Sequence, residues 1–287
     1  MTNAAQKFRR APVPVVVANL DDRCGKGPVW NAAVQHLFWT DATGRRIAAF
    51  QPDSGAIEVF PLDATVSALA LDDTGGLIAG GSFGLARWNP TEGLRTIVSA
   101  GPQGALCIND LVVDSRGRVC AGTIHWGEHG MEKHGGIYRI ELGGRVEQVV
   151  DGLELANGMD FSPDGRRFYY SDSARRTINV ADVEPATGAL TQPRVWVQVP
   201  AGEGLPDGLA VDAAGFVWSA QWYGSQVVRY DPDGHVERRV ALPVSHCPCR
   251  IARVASRQSR LRRTGPHGLV HHDRRRAVAQ PARAAGV

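Results

Sequence analysis

A sequence motif of about a dozen residues recurs along the chain, and this repeat constrains the fold more than any other feature of the sequence. Each copy is a short run of residues that favour extended backbone, then a turn with an acidic residue and glycine, then a second extended run. Four copies cover residues 69–80, 111–122, 159–170 and 209–220, and a weaker copy without the glycine covers 29–41. The acidic side chain can cap the turn and glycine can take a positive φ, so each copy predicts a β-hairpin.

A second hairpin is expected after each copy, which gives four strands per unit. These second hairpins fall at residues 47–55, 85–93, 137–144, 178–188 and 227–234. The turn glycines of the first hairpins, Gly75, Gly117, Gly165 and Gly215, are spaced 42, 48 and 50 residues apart. A four-stranded unit at this period is typical of a propeller blade, and convincing amphipathic helices are absent from the sequence. We therefore predict an all-β fold, a six-bladed β-propeller of four-stranded blades.

The last forty or so residues break this pattern. Residues 247–287 have no strand alternation, no Asp-x-x-Gly turn and no aromatic Phe, Tyr or Trp, and arginine and alanine dominate. The sixth blade is therefore expected to be disrupted. The predicted organisation is an N-terminal segment (1–20), propeller blades (21–246) and an atypical tail (247–287). The tail is either the product of a frameshift in a GC-rich gene or a natural disordered basic segment.

The net charge of +3 conceals two unequal parts. The chain holds 32 basic and 29 acidic residues, and removing the ten arginines and one aspartate of residues 247–287 leaves 22 basic and 28 acidic residues. The propeller region is therefore mildly acidic, and we expect no nucleic-acid partner. No apolar run approaches the length of a membrane span, and the five cysteines are irregularly spaced. These features predict a cytoplasmic protein with reduced thiols and no membrane partner.

Polar residues stand directly before the repeated motif in three of the predicted blades. They are Asn109 with Asp110, Asn157 with Gly158, and Asp207 between Pro206 and Gly208. Because inner strands converge on the axis of a propeller, we expect Asn109, Asn157 and Asp207 to meet there. Amide and carboxylate oxygens suit a hard divalent cation, although the same residue types also cap turns.

Several short sequence motifs together resemble those of one protein family. They are Gly25-Lys26-Gly27-Pro28-Val29-Trp30, Asn109-Asp110, Gly135-Gly136-Ile137-Tyr138-Arg139, Asn157-Gly158, Ser162-Pro163-Asp164-Gly165 and Pro206-Asp207-Gly208-Leu209. In this order they resemble the regucalcin, gluconolactonase and luciferin-regenerating-enzyme (senescence marker protein) family over residues 22–246.

The resemblance implies a lactonase that hydrolyses a sugar (aldono) lactone to the aldonic acid in carbohydrate catabolism. It implies one divalent cation, Ca²⁺, Zn²⁺, Mn²⁺ or Mg²⁺, with Asn157 and Asp207 as ligands. Asp207 would also be the catalytic general base, and Asn109 would bind the substrate or reach the metal. The cation would polarise the lactone carbonyl.

Two positions depart from the family pattern. Lys26 stands where the resemblance implies a glutamate metal ligand, and an ammonium cannot coordinate a cation. Cys107 stands where it implies a substrate-binding arginine. Two alternatives follow: a propeller that binds a small molecule without turnover, or a related esterase with a non-sugar substrate.

Two short motifs are interpreted as part of the propeller. Residues 80–84 match a nucleophile elbow, but the following residues predict a strand rather than the helix that an elbow needs. Residues 125–129 match an inverted zinc-protease motif, which requires a helix, whereas the glycines around it indicate a loop. This loop could lie over the mouth of the channel.

Overall fold

The computed structural model describes residues 14–72, 76–127 and 130–242. In this part of the chain every regular element is a β-strand, and there are 24 of them. Accordingly, none of the described residues belongs to a helix that could cross a membrane. The tail predicted at 247–287 lies outside the described residues, as do residues 1–13.

Five four-stranded antiparallel sheets, here called blades, account for most of the strands. Blade 1 contains β1 (Gly25–Asn31), β2 (His36–Asp41), β3 (Arg46–Phe50) and β4 (Ile57–Pro61). Blade 2 contains β5 (Val66–Leu71), β6 (Leu77–Gly81), β7 (Gly84–Asn89) and β8 (Gly93–Val98).

The remaining blades follow in chain order, with two small hairpins around blade 3. Blade 3 is formed by β11 (Ile108–Val113), β12 (Val119–Thr123), β15 (Gly135–Ile140) and β16 (Val146–Leu153). Before and within it lie β9 (Ala100–Gly101) with β10 (Gly104–Ala105), and β13 (His125–Gly127) with β14 (Gly130–Lys133). Blade 4 contains β17 (Ala156–Phe161), β18 (Arg167–Asp172), β19 (Thr177–Val183) and β20 (Leu190–Gln198). Blade 5 contains β21 (Leu205–Val211), β22 (Val217–Trp222), β23 (Gln226–Tyr230) and β24 (Val236–Ala241).

The first strand of each blade packs against the first strand of the next one. Contacts join β1 to β5, β5 to β11, β11 to β17 and β17 to β21. The predicted all-β, propeller-like architecture is therefore confirmed. The number of blades differs from the prediction: the described residues form five rather than six. The sixth was placed in the atypical C-terminal part, which is outside the described residues.

The glycine turns have the predicted geometry. Gly117, Gly165 and Gly215 have φ values of 80°, 69° and 82°. Each donates its N–H to the carbonyl oxygen three residues earlier, at 2.8–3.1 Å. In blade 5 the carboxylate of Asp212 also accepts hydrogen bonds from the N–H groups of Ala214 and Phe216. The local sequence of the repeat thus explains why its strands reverse where they do.

Apolar side chains on both faces of the middle strands hold successive blades together. Phe168 and Tyr170 pack toward blade 3, and Tyr169 between them packs toward blade 5. This alternation is the two-residue period of a strand that is buried on both faces. The far face of blade 1 carries Trp39 and Phe50, and Ala18 of the preceding segment packs on it.

The three described cysteines, Cys24, Cys107 and Cys120, are free thiols, in agreement with the prediction. Burial raises the pKa of Cys120 to about 12. A thiol with so high a pKa is a poor nucleophile at neutral pH, so Cys120 serves packing rather than chemistry.

The inner strands of blades 4 and 5 approach closely at Gly158 in β17. A Cβ atom on Gly158 would lie 2.1 Å from the backbone nitrogen of Leu209 and 2.3 Å from the carbonyl oxygen of Asp207. Such distances are far below van der Waals contact, and the obstructing atoms are backbone. Only glycine therefore allows the two inner strands to pack here.

We expect Gly158→Ala to destabilise the protein by about 1–3 kcal/mol or more, because the methyl group forces two backbones apart. Gly208→Ala is the matched control, since a Cβ there meets no atom within 4 Å. Denaturant unfolding of both variants checks this. Equal unfolding midpoints would show that blades 4 and 5 do not pack as described.

Candidate functional site

The first strand of each of the five described blades is its inner strand. Near its beginning, this strand contains one residue more than the stretch of the second strand with which it pairs. The register shifts between Lys26 and Val29, Val66 and Ala68, Ile108 and Asp110, Ala156 and Met159, and Pro206 and Leu209. Such a β-bulge interrupts the alternation of side chains and turns a residue away from both sheet faces. The bulges therefore repeat at the same end of all five blades.

The predicted site residues lie at these bulges. Asn109, Asn157 and Asp207 each stand two residues before the apolar run of their own repeat. In blade 1 this position is Gly27, with φ of 54°, and Lys26 precedes it. One local distortion thus presents side chains from several blades toward the axis.

Hydrogen bonds connect these side chains across the blades. Lys26 Nζ donates to Asn109 Oδ1 at 2.7 Å, which joins blade 1 to blade 3. Asn109 Nδ2 donates to the carbonyl oxygen of Ala156 at 3.0 Å, next to Asn157. Asn109 and Asn157 are buried, and Lys26 is half-buried.

Asn157 extends the network to blade 5. Its Nδ2 donates to Ser173 Oγ at 3.2 Å, and Ser173 Oγ in turn donates to the carbonyl oxygen of Pro206 at 2.6 Å. Asn157 also donates a hydrogen bond to the carboxylate of Asp207. The structure therefore brings Lys26, Asn109, Asn157 and Asp207 together, which are contributed by four different blades.

The environment of Asp207 raises its pKa above the ordinary value. Desolvation by the surrounding protein is the main cause; Lys26 opposes it, the charge of Asp110 adds to it, and the hydrogen bond from Asn157 opposes it. A carboxylate that is held less acidic than in water is a better proton acceptor, which suits a general base. Lys26 of β1 and Asp110 of β11 both influence Asp207 of β21, so side chains from three blades act on one carboxylate.

This arrangement argues against a divalent cation at Asn157 and Asp207. Lys26 already donates a hydrogen bond to the side-chain oxygen of Asn109. Asn157 directs its amide nitrogen toward Ser173 and Asp207. A unit charge and a divalent ion of the same sign 4 Å apart repel by about 8 kcal/mol at the effective dielectric constant of protein surfaces. The residues present therefore do not fit the predicted metal while Lys26 remains.

A second group of metal-ligand type lies in the turn between β23 and β24. Asp231, Asp233 and His235 offer ligand atoms within 4.8 Å of one another. However, Asp231 Oδ1 accepts hydrogen bonds from the backbone N–H groups of Asp233 and His235. Asp231 therefore caps this turn. The turn also lies at the opposite end of blade 5 from Asp207.

Cys107, the other departure from the family pattern, is half-buried in the segment before β11. Its carbonyl oxygen accepts a hydrogen bond from the N–H of Ile124. Cys107 thus holds the connection that follows β12, and a role of its thiol toward a substrate stays a prediction.

Sequence reasoning missed Ser67. It lies in the bulge of β5, at the position that Asn109, Asn157 and Asp207 occupy in their blades, and it is half-buried. The signal was present, since Ser67 also stands two residues before its apolar run.

The β13–β14 hairpin leaves blade 3 at the same end as the bulges. Thr123, at the end of β12, pairs with Ile108, so His125 and the hairpin follow directly beside the bulge of β11. The zinc-protease interpretation of this segment is excluded by its strand conformation at 125–127, because that motif needs a helix. Residues 80–84 join β6 to β7 by a tight turn, which likewise excludes a nucleophile elbow.

Comparisons with known proteins agree with this fold. The family described as "SMP-30/Gluconolactonase/LRE-like region" matches residues 24–258. The pentonolactonase XacC of Haloferax volcanii is 32% identical over 227 residues, which are 79% of this chain and 76% of that protein. The L-arabinolactonase of Azospirillum brasilense is 31% identical, over 85% of this chain and 82% of that protein.

Solved structures show the same architecture. A calcium-binding protein, regucalcin, from Agrobacterium tumefaciens superimposes with a TM-score of 0.73 at 24% identity, over 83% of this chain and 79% of that one. A gluconolactonase from Xanthomonas campestris gives 0.72 at 25% identity, over 83% and 82%. The family match covers most of the propeller region, and the resemblance seen in the sequence is confirmed. This chain belongs to the SMP-30/gluconolactonase/LRE-like family.

Proposed function

We propose that this protein hydrolyses a sugar (aldono) lactone to the corresponding aldonic acid, as a step of carbohydrate catabolism. The observation that carries the proposal is the cluster of Lys26, Asn109, Asn157 and Asp207, where a carboxylate of raised pKa stands beside two amide groups and an ammonium. The lactonase names of relatives that are 31–32% identical support the same class of substrate.

Amide groups and a hydroxyl at the bulges suit the hydroxyl groups of a sugar. Asn109 and Asn157 are buried. Asn109 is held by a hydrogen bond to Ala156 of blade 4 and Asn157 by one to Ser173 of its own blade, so their orientation is fixed before a ligand binds. Fixed polar groups lose little conformational entropy when they bind a ligand. We assign Asn109, Asn157 and Ser67 to the recognition of hydroxyl groups on the lactone.

Asp207 is the general base in this proposal. Its carboxylate accepts a proton from water while the water oxygen bonds to the lactone carbonyl carbon, and the carbonyl electron pair moves onto oxygen. When the tetrahedral species collapses, the bond from this carbon to the ring oxygen breaks, and Asp207 returns the proton to that oxygen. The product is an open-chain aldonic acid, which ionises and acidifies the medium.

A divalent cation, if bound by Asn157 and Asp207, would polarise the carbonyl. Lys26 opposes such an ion, and Asp207 performs both proton transfers described above. The alternative of ligand binding without turnover uses the same side chains but needs no proton transfer at Asp207.

Asp207→Asn should reduce kcat by about 10²–10⁴-fold, the usual contribution of a general base, while a lactone still binds. The measurement is acid release with a pH indicator on glucono-, galactono-, xylono- and arabinonolactones. Asp182→Asn is the control, because Asp182 is an exposed carboxylate on β19 that pairs with Arg194.

Undiminished turnover in Asp207→Asn would remove Asp207 from the role of base. If the wild-type protein binds lactones without releasing acid from any of them, the protein is a binding propeller rather than a hydrolase.

Ser67→Ala should lower kcat/KM by about two- to thirteenfold, which corresponds to one neutral hydrogen bond of about 0.5–1.5 kcal/mol. The reason is that Ser67 occupies the bulge position in blade 2. Ser54→Ala provides the control, since Ser54 lies in the β3–β4 turn and bonds to Gln51. Identical kinetics in both variants would show that the hydroxyl of Ser67 does not contact the substrate.

A further inference from the structure

The ammonium of Lys26 lies inside the candidate site rather than at its rim. Lys26 Nζ donates to Asn109 Oδ1 at 2.7 Å, across 83 residues of sequence. The charge of Lys26 also acts on Asp207, the proposed base. The side chain is half-buried, so it remains partly accessible to a ligand.

The charges of the site nearly balance because of Lys26. Asp110 follows Asn109, the hydrogen-bond partner of Lys26. Asp207 accepts a hydrogen bond from Asn157, so two carboxylates stand in the same region as Lys26. Lys26 supplies one positive charge to this region. A carboxylate at position 26 would instead give three negative charges. The exchange of carboxylate for ammonium changes the local charge by two units, which is the charge of one divalent cation.

An ammonium has three N–H donors, and Asn109 receives one hydrogen bond from Lys26. A further N–H can donate to the carbonyl oxygen of a lactone and stabilise the negative charge that develops there during attack by water. In ester hydrolysis, an oxyanion hole or a metal ion stabilises the same negative charge on the carbonyl oxygen. Asp207, on blade 5, then accepts the proton of the attacking water.

We propose that Lys26 is the cation of this active site, that its ammonium donates to the carbonyl oxygen of the lactone, and that hydrolysis proceeds without a divalent metal. This inference rests on the proposed lactonase function for its catalytic part. Its second part, the exclusion of a metal by Lys26, does not depend on which ligand the site binds. The two parts are therefore tested by separate measurements.

The first measurement is calorimetric titration of Mn²⁺ and of Ca²⁺ into the metal-stripped protein. All variants carry Asp231→Asn, which removes one ligand of the exposed group in the β23–β24 turn. The protein with Lys26 should show no binding at millimolar metal, and Lys26→Glu should bind at least about a hundredfold more tightly. Lys26→Met, which removes the charge without adding a ligand, is the control and should bind far more weakly than Lys26→Glu. Stoichiometric metal binding with Lys26 present, unchanged in Lys26→Met, would overturn the inference.

The second measurement is lactone hydrolysis in excess chelator. The wild-type protein should keep its full rate, and Lys26→Met should lose at least about tenfold, because the carbonyl oxygen loses its cationic donor. Lys26→Arg should recover part of that loss. Lys26→Glu should be inactive in chelator and gain activity with Mn²⁺.

A wild-type rate that is abolished by chelator and restored by Mn²⁺ would disprove the metal-free reaction. If no variant hydrolyses any lactone, the proposed function fails, and the calorimetric result still decides whether Lys26 excludes a metal.

Discussion

The extra residue in each inner strand is the constraint on which the site depends. In a regular strand, side chains alternate between the two faces, and in a propeller both faces are covered by neighbouring blades. No side chain of such a strand would point along the axis. The bulge breaks the alternation at one position per blade, and its repetition at Asn109, Asn157 and Asp207 brings distant parts of the chain together.

The interactions that orient the site also hold the blades together. Asn109 bonds to the backbone of blade 4, and Ser173 bonds to the backbone of blade 5. Gly158 lets the inner strands of blades 4 and 5 approach to backbone contact. A substitution that disturbs the site therefore also disturbs the packing of blades, so activity and stability are expected to change together for buried members of this network. Asp207 differs, because it accepts a hydrogen bond from the side chain of Asn157 and links no two backbones.

The sequence predicts the parts of this structure that depend on local interactions. A turn closed by Asp212 and Gly215 needs only residues within the turn, so the strands could be located from the repeat. Asn109, Asn157 and Asp207 were predictable because they keep a constant offset from that repeat. The bond from Lys26 to Asn109 was not predictable, because it depends on how the blades curve around the axis. The number of blades depends on the residues after 242, where the repeat is lost.

The charge of Lys26 has a consequence for folding as well as for chemistry. Carboxylates that converge on one cavity repel one another, and a site that relies on a metal for neutrality is destabilised whenever the metal is absent. In this chain the opposing charge is covalently attached and sits in the first blade, while the carboxylates sit in the third and the fifth. Attraction between Lys26, Asp110 and Asp207 thus favours closure of the blades around the axis. If Lys26 excludes a metal as proposed, we expect the stability of the propeller not to depend on metal concentration.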